Sequence, residues 1–260
     1  MSTPHTSALI GLFNPIIEPT SLSALQAAFV GTNIVWANAR DGRNPLRTDR
    51  VTTIMDPILS QIESARRNIA PQSALAGSSV PIGVICAWTD QTGLPDQCVD
   101  TYIVDHFQNE PYSDLVWDEA ERIIRPGGRL IAIRHLPPIL GDHFLDDLSQ
   151  QAAREWAGWD DVDLARSCAG SSSKLKRSRI DWNTPMIARC NCGLTPLLNG
   201  LWKLHRTDEQ DELYDEEFFD IGVEEYFNNM SMQWGTPESR ARSMTVDLDI
   251  LVFDLDTGER

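Results

Sequence analysis

The chain has 260 residues, 42% of them hydrophobic, with a formal net charge of −16 and five cysteines. That length suits one large domain or a domain with an insertion, and the apolar content supports a real core and excludes a disordered chain. The acidic balance argues against nucleic acid and against an anionic membrane surface as partners, and no stretch reads as a signal peptide or a membrane span.

In chain order, the pattern predicts a helix over Ser21 to Phe29, with Pro19 before it and Ser21 as its N-cap. Short strands follow at Asn33 to Ala37 and Val51 to Met55, the second ending at Asp56-Pro57. The next helix carries Ile58, Ile62, Ala65 and Ile69 on one face. Ile82 to Ala87 is a continuous apolar run, as expected of a strand covered on both faces. Thr101 to Val104 is a fourth strand. Ser113 to Ile124 is a helix with Val116, Ala120 and Ile123 inward, broken by Pro126-Gly-Gly128, and Leu130 to Ile133 is a fifth strand. Alternating strands and helices imply a mostly parallel sheet with helices on both faces.

The second half is less regular. Leu145 to Trp156 reads as a helix, the region from about Cys168 to Trp202 as an insertion or lid, and Leu213 to Phe227 as an acidic amphipathic helix with Tyr214, Phe218 and Ile221 inward. Val246 to Phe253 reads as a terminal strand. Between Asp208 and Glu225 lie ten carboxylates and no Lys or Arg, which fits a solvated acidic face. The basic run Lys174-Leu-Lys-Arg-Ser-Arg179 reads as a surface loop. Sparse cysteines suit a reducing, cytoplasmic compartment. Cys190-Asn-Cys192 lacks a second pair at metal spacing, so no metal site is expected. The expected organisation is a core over residues 1–140, an acidic helical cap over 141–243, and a strand over 244–260 that returns to the core sheet.

Ligands of open parallel sheets bind beyond the carboxyl ends of the strands. That rule selects Asn38 to Gly42, Asp56, Asp90, Asp105 with His106, and Arg134 with His135. Asp56 lies 18 positions after Asn38, at a strand tip. A carboxylate there can accept both hydroxyls of a ribose, and the same group can cap the helix that starts at Pro57. A histidine in such a chamber can act as general base, which singles out His106 and, more weakly, His135 beside Asp105. Arg40, Arg43 and Arg47 can bind an anion or form a solvated loop, and the second is expected.

Four segments carry a family resemblance. Asp56-Pro-Ile-Leu-Ser-Gln-Ile-Glu-Ser-Ala-Arg-Arg-Asn68 resembles the segment after the ribose-binding acid of small-molecule class I S-adenosylmethionine (SAM) methyltransferases. Thr89-Asp-Gln-Thr-Gly-Leu-Pro95 resembles their third-strand motif, and Asp100 the acid that opens their fourth strand. Trp117-Asp-Glu-Ala-Glu-Arg-Ile-Ile-Arg-Pro-Gly-Gly-Arg-Leu130 resembles their motif before strand five. The matches fall in the family's order and cover roughly Asn33 to His135, about half the chain. The resemblance implies a Rossmann-like α/β fold and SAM as cofactor. By it, Asp56 would hold the ribose, Asp90 and its neighbour Gln91 the adenine, and Asn38 and Gly42 the loop against the cofactor. Asp105, His106 and His135 would line the reaction chamber.

One departure stands beside these matches. The family's first loop reads roughly Asp/Glu-x-Gly-x-Gly-x-Gly, whereas Trp36-Ala-Asn-Ala-Arg-Asp-Gly42 keeps one glycine and replaces the acid with Trp36. Glycine suits positions of positive φ and close backbone approach, so the methionine half of the cofactor has the weakest support. The expected function is methyl transfer to oxygen or nitrogen of a small-molecule acceptor. The alternative is a methyltransferase fold repurposed as a cyclase or isomerase, or as a non-catalytic partner subunit. A homo- or heterodimer is compatible with either. A nicotinamide-dependent dehydrogenase is a weaker third option.

Overall fold

The computed structural model describes residues 15–75, 82–107, 113–136, 174–178, 180–193 and 241–256. Contacts divide the chain into two units, and most described residues belong to the one formed by Ile16–Leu136, Asp160–Ala188 and Asp247–Arg260. Its elements are β1 (Ile16–Ile17), α1 (Pro19–Ala27), β2 (Ile34–Ala37), α2 (Arg43–Leu46), β3 (Thr53–Asp56), α3 (Leu59–Leu75), β4 (Gly83–Cys86), β5 (Val99–Val104), α4 (Ser113–Ile123), β6 (Ile124–His135) and β7 (Leu175–Ser178). Strands β8 (Ile187–Gly193) and β9 (Ala241–Leu255) follow. The sheet runs β1-β8-β9-β6-β5-β2-β3-β4, with β7 paired to β9. Strands β2 to β6 pair in parallel where they adjoin, and β9 pairs antiparallel with β6. This is a Rossmann-like α/β sheet.

The order places a topological switch between β2 and β5. From β2 the chain proceeds outward to β3 and β4, then returns to β5 and β6 on the other side. Successive strand residues point to opposite faces. Val35, Ala37, Tyr102, Val104, Leu130 and Ala132 face one buried cluster. Helix α4 covers it with Val116, Ala120 and Ile123, as the spacing predicts, and also with Trp117. Ile34, Trp36, Ile103, Ile131 and Ile133 alternate to the other face and are equally buried. Burial of such side chains contributes roughly 1.5–3 kcal/mol each.

Several expectations are corrected. Ser21 is inside α1 rather than its cap. Glu18 is the N-cap residue, with Pro19 at the first turn. The Ser21 hydroxyl instead accepts the Ile187 N–H at 2.9 Å, so it ties α1 to β8. Ile58 is 48% exposed, because α3 begins one residue later and turns its Ile62–Ala65 stripe to the sheet. The apolar run at β4 is not covered on both faces. It is an edge strand of half-buried and exposed residues. The region between Cys168 and Trp202 contains two strands, β7 and β8, rather than only an irregular lid. Most of the basic run lies in β7, where Lys176 and Arg177 are exposed while Leu175 packs on the core. The helices expected at Leu145–Trp156 and Leu213–Phe227 lie outside the described residues.

Asp100 holds the approach to β2. Its Oδ2 accepts the N–H groups of Thr32 and Asn33, each at 2.8 Å, and Oδ1 pairs with Arg125 at 3.0 Å. Gly31, at φ 65°, passes so close that a Cβ there would lie 2.3 Å from the Asp100 side chain. Burial alone would raise the Asp100 pKa, but the two backbone N–H groups and Arg125 outweigh it and hold the carboxyl below its ordinary value of 3.8. A depressed acid stabilises the fold above its unfolded pKa and loses that contribution as pH falls through the folded one. Asp100→Asn is therefore expected to cost about 2 kcal/mol at neutral pH. The gap from wild type should close toward acid pH, as read by urea unfolding at a series of pH values.

Candidate functional site

The loop after β2 crosses the switch point and has an unusual backbone. Asn38, Arg40 and Gly42 alternate in the left-handed region, at φ 53°, 50° and 76°. Asparagine reaches this region with modest strain and glycine with none, whereas for other residues it costs roughly 1–2 kcal/mol. At Gly42 the backbone packs on α3, and an added Cβ would lie 3.2 Å from Ala65 Cβ. The chain then makes only the single turn of α2 before β3.

The loop is held by its neighbours. Ala39 N–H donates to the Met55 carbonyl at 3.1 Å, and Arg40 N–H to Asp56 Oδ2 at 2.8 Å. Asn68 of α3 donates to the Asp41 carbonyl, and Asn38 Nδ2 to the Asp105 carbonyl at 3.0 Å. Asp56 is 3% exposed, and its other oxygen accepts Ile58 N–H at 2.9 Å, capping α3. Burial raises its pKa against these hydrogen bonds and the charge of Arg40. The exposure expected of a solvated loop holds for Arg43 and Arg47, although Arg43 lies in α2 and pairs with Asp41 and Arg47 donates to the Ile17 carbonyl. It fails for Arg40, which is 7% exposed. The cause is tertiary. The Arg40 guanidinium sits near Asp105, Asp56 and Asp41; burial lowers its pKa to about 10 even though these charges oppose the shift, so it remains a cation.

Beyond β5 and β6 the other candidates converge. Trp36 pairs with Ile103 and Ile103 with Ile131, so Asp105 and His135 follow on the same face of the sheet as Trp36. Asp105 is the hub. Its Oδ1 accepts His135 Nε2–H at 2.6 Å and His106 N–H at 2.9 Å, and its Oδ2 accepts the indole N–H of Trp36 at 3.2 Å. The rings of His106 and His135 stack at 4.0 Å between centroids, 10° apart. Burial, then the charge of Arg40 and the neighbouring His135, push the His106 pKa well below 6.5, so that ring is neutral at physiological pH. Asp105, His106 and His135 offer ligand atoms within 4.8 Å of one another. Imidazole lone pairs lie in the ring plane, however, and two nearly parallel planes do not converge on one ion. The geometry is that of a hydrogen-bonded network.

Asp90 and Gln91 lie apart from this buried cluster. They occupy the turn from Trp88 to Gln91 after edge strand β4, half-buried and exposed respectively. The turn is anchored by Tyr102, whose hydroxyl donates to the Thr89 carbonyl, and by Thr92, whose N–H donates to Glu119. The candidates thus form two groups. Asn38, Gly42 and Asp56 adjoin Asp105, His106 and His135 around the switch point, and Asp90 with Gln91 stands at the β4 edge. Residue-by-residue reading missed Trp36 as a hydrogen-bond donor to the hub and Arg40 as a buried cation. The two-residue spacing of Asn38, Arg40 and Gly42 was the available signal for the second.

A buried neutral histidine stabilises the fold above its unfolded pKa and destabilises it below, where only the unfolded chain takes the proton readily. Stability should therefore decline as pH falls below about 6.5. His106→Asn, which tolerates the φ of 52° at that position, should flatten this slope in unfolding titrations.

No protein-family model and no curated protein matches the sequence. Solved structures do match the fold. One is a candidate type II methyltransferase from Anaeromyxobacter dehalogenans, with a TM-score of 0.58 at 20% identity, over 92% of this chain and 97% of that one. A candidate methyltransferase from Bacillus halodurans C-125 gives 0.54 at 11% identity, over 91% and 99%. The YcgJ protein from Bacillus subtilis gives 0.53 at 13% identity, over 93% and 100%. Among the described residues no helix is long and apolar enough to cross a membrane. With its order β4-β3-β2-β5-β6-β9 and antiparallel β9, the chain has the Rossmann-like fold of the class I SAM-dependent methyltransferases.

Proposed function

We propose that this chain is a SAM-dependent methyltransferase acting on oxygen or nitrogen of a small-molecule acceptor. The observation that carries the reading is Asp56, a buried carboxylate at the tip of β3 that grips a loop of alternating left-handed residues at the switch point. Each Asp56 oxygen accepts one backbone N–H, which leaves each a lone pair for a vicinal diol. The donor set thus fits the adenosine half of SAM, with Asp56 toward the ribose and Asp90 and Gln91 toward the adenine. Asn38 and Gly42 shape the loop beside it. On the methionine side the buried Arg40 side chain must give way.

When bound, SAM supplies an electrophilic methyl group. The chain's own residues align the acceptor and handle its proton. Neutral His106 has a free electron pair for a proton from a hydroxyl or amine. Asp105 fixes the ring of His135, and that ring stacks on His106 and limits its orientation.

One observation favours a second reading. Arg40 stands where the family has glycine, as expected of a methyltransferase fold that serves as a cyclase, an isomerase or a non-catalytic partner. Calorimetric titration with SAM, S-adenosylhomocysteine and adenosine separates the two. The first reading expects binding that Asp56→Ala weakens by at least about tenfold, or about 1.4 kcal/mol. Silence from all three compounds at millimolar concentration overturns it.

A further inference from the structure

We propose that Arg40 is a self-supplied cation that closes the methionine half of the ligand site, and that a sulfonium ligand must displace it to bind. The inference rests on the nucleoside site proposed above and concerns which ligands that site admits. Three observations meet at this residue. First, Arg40 holds the left-handed conformation, at φ 50°, midway between Asn38 and Gly42 in the same conformation. The backbone follows a path suited to glycine, and a long side chain has been hung on it. Strain of this kind persists only where surrounding contacts over-determine it. Here the residue's N–H is held by Asp56 Oδ2 at 2.8 Å.

Second, the side chain is directed inward. Arg40 is 7% exposed, in a loop whose neighbours Arg43 and Arg47 are exposed. Third, its guanidinium faces Asp56, at the tip of β3, and Asp105, just beyond the tip of β5, as well as Asp41. These strands flank β2, so the carboxylates that act on the cation lie on opposite sides of the switch point. That is the span an extended ligand must cross to reach from the ribose carboxylate to Asp105, His106 and His135.

Charge sharpens the competition. A buried carboxylate needs a compensating partner, and here the chain provides one itself. A sulfonium brought between the same carboxylates would meet a second positive charge at short range in a desolvated space. Adenosine lacks both the positive charge and the methionine arm, so it can occupy the Asp56 side without moving Arg40. Binding of SAM is thus reduced by the fraction of molecules in which Arg40 has swung away.

The test compares wild type with Arg40→Gly by calorimetry, using adenosine, S-adenosylhomocysteine and SAM as probes, with thermal unfolding to confirm folding. Glycine suits φ 50°, and it removes both the bulk and the charge. Wild type is expected to bind adenosine at least as tightly as SAM. Arg40→Gly is expected to bind SAM about tenfold more tightly than wild type, with adenosine affinity unchanged. Equal or weaker SAM binding by Arg40→Gly overturns the latch. If the variant does not fold, wild type alone decides, since SAM binding more than about tenfold tighter than adenosine also overturns it. No binding of any probe to either protein overturns the nucleoside site itself, a result distinct from both.

Discussion

The site depends on one carboxylate. Asp105 receives an indole N–H from β2, a backbone N–H from its own loop and an imidazole N–H from the end of β6, and it faces the guanidinium of the β2 loop. Three segments distant in sequence, β2 with its loop, the end of β5 and the end of β6, are therefore tied together by a single buried carboxylate. Such an anion is tolerable only if its donors are all in place, so the network is cooperative. The parallel register makes it feasible, since it stacks Trp36, Ile103 and Ile131 across adjacent strands and delivers Asp105 and His135 to the same face.

The same arrangement divides labour between strand tips. The β3 tip, through Asp56, organises backbone, because one carboxylate oxygen holds the loop and the other caps α3. The β5 and β6 ends organise side chains and hold His106 neutral. Arg40 couples the two halves, because its charge faces both carboxylates and also disfavours protonation of His106.

How much of this was legible in the sequence depended on range. The buried strands β2 and β5 were evident from short apolar runs, and α4 from the i, i+4, i+7 spacing of Val116, Ala120 and Ile123. These patterns record burial directly. The strand-tip candidates followed from the rule that ligands sit at carboxyl ends, and the fold brings five of the eight around one short anion network or the loop against it, with Gly42 packed beside them. What escaped was pairing at a distance. An arginine in a polar loop reads as solvated, and two of the three carboxylates that act on it lie 16 and 65 positions away along the chain. The hydroxyl of Ser21 looked like a helix cap because its tertiary partner lies 166 residues on. The apolar run at β4 looked central because composition does not distinguish a strand covered on both faces from one at a sheet's margin.

That margin has a consequence for how the molecule behaves among copies of itself. Among the described residues the sheet ends in short strands, the two-residue β1, the four-residue β4 and the four-residue β7, which pairs with β9. A long bare edge offers unsatisfied amides as a template for strand recruitment and fibril growth. Strands this brief present few consecutive amides to seed such growth.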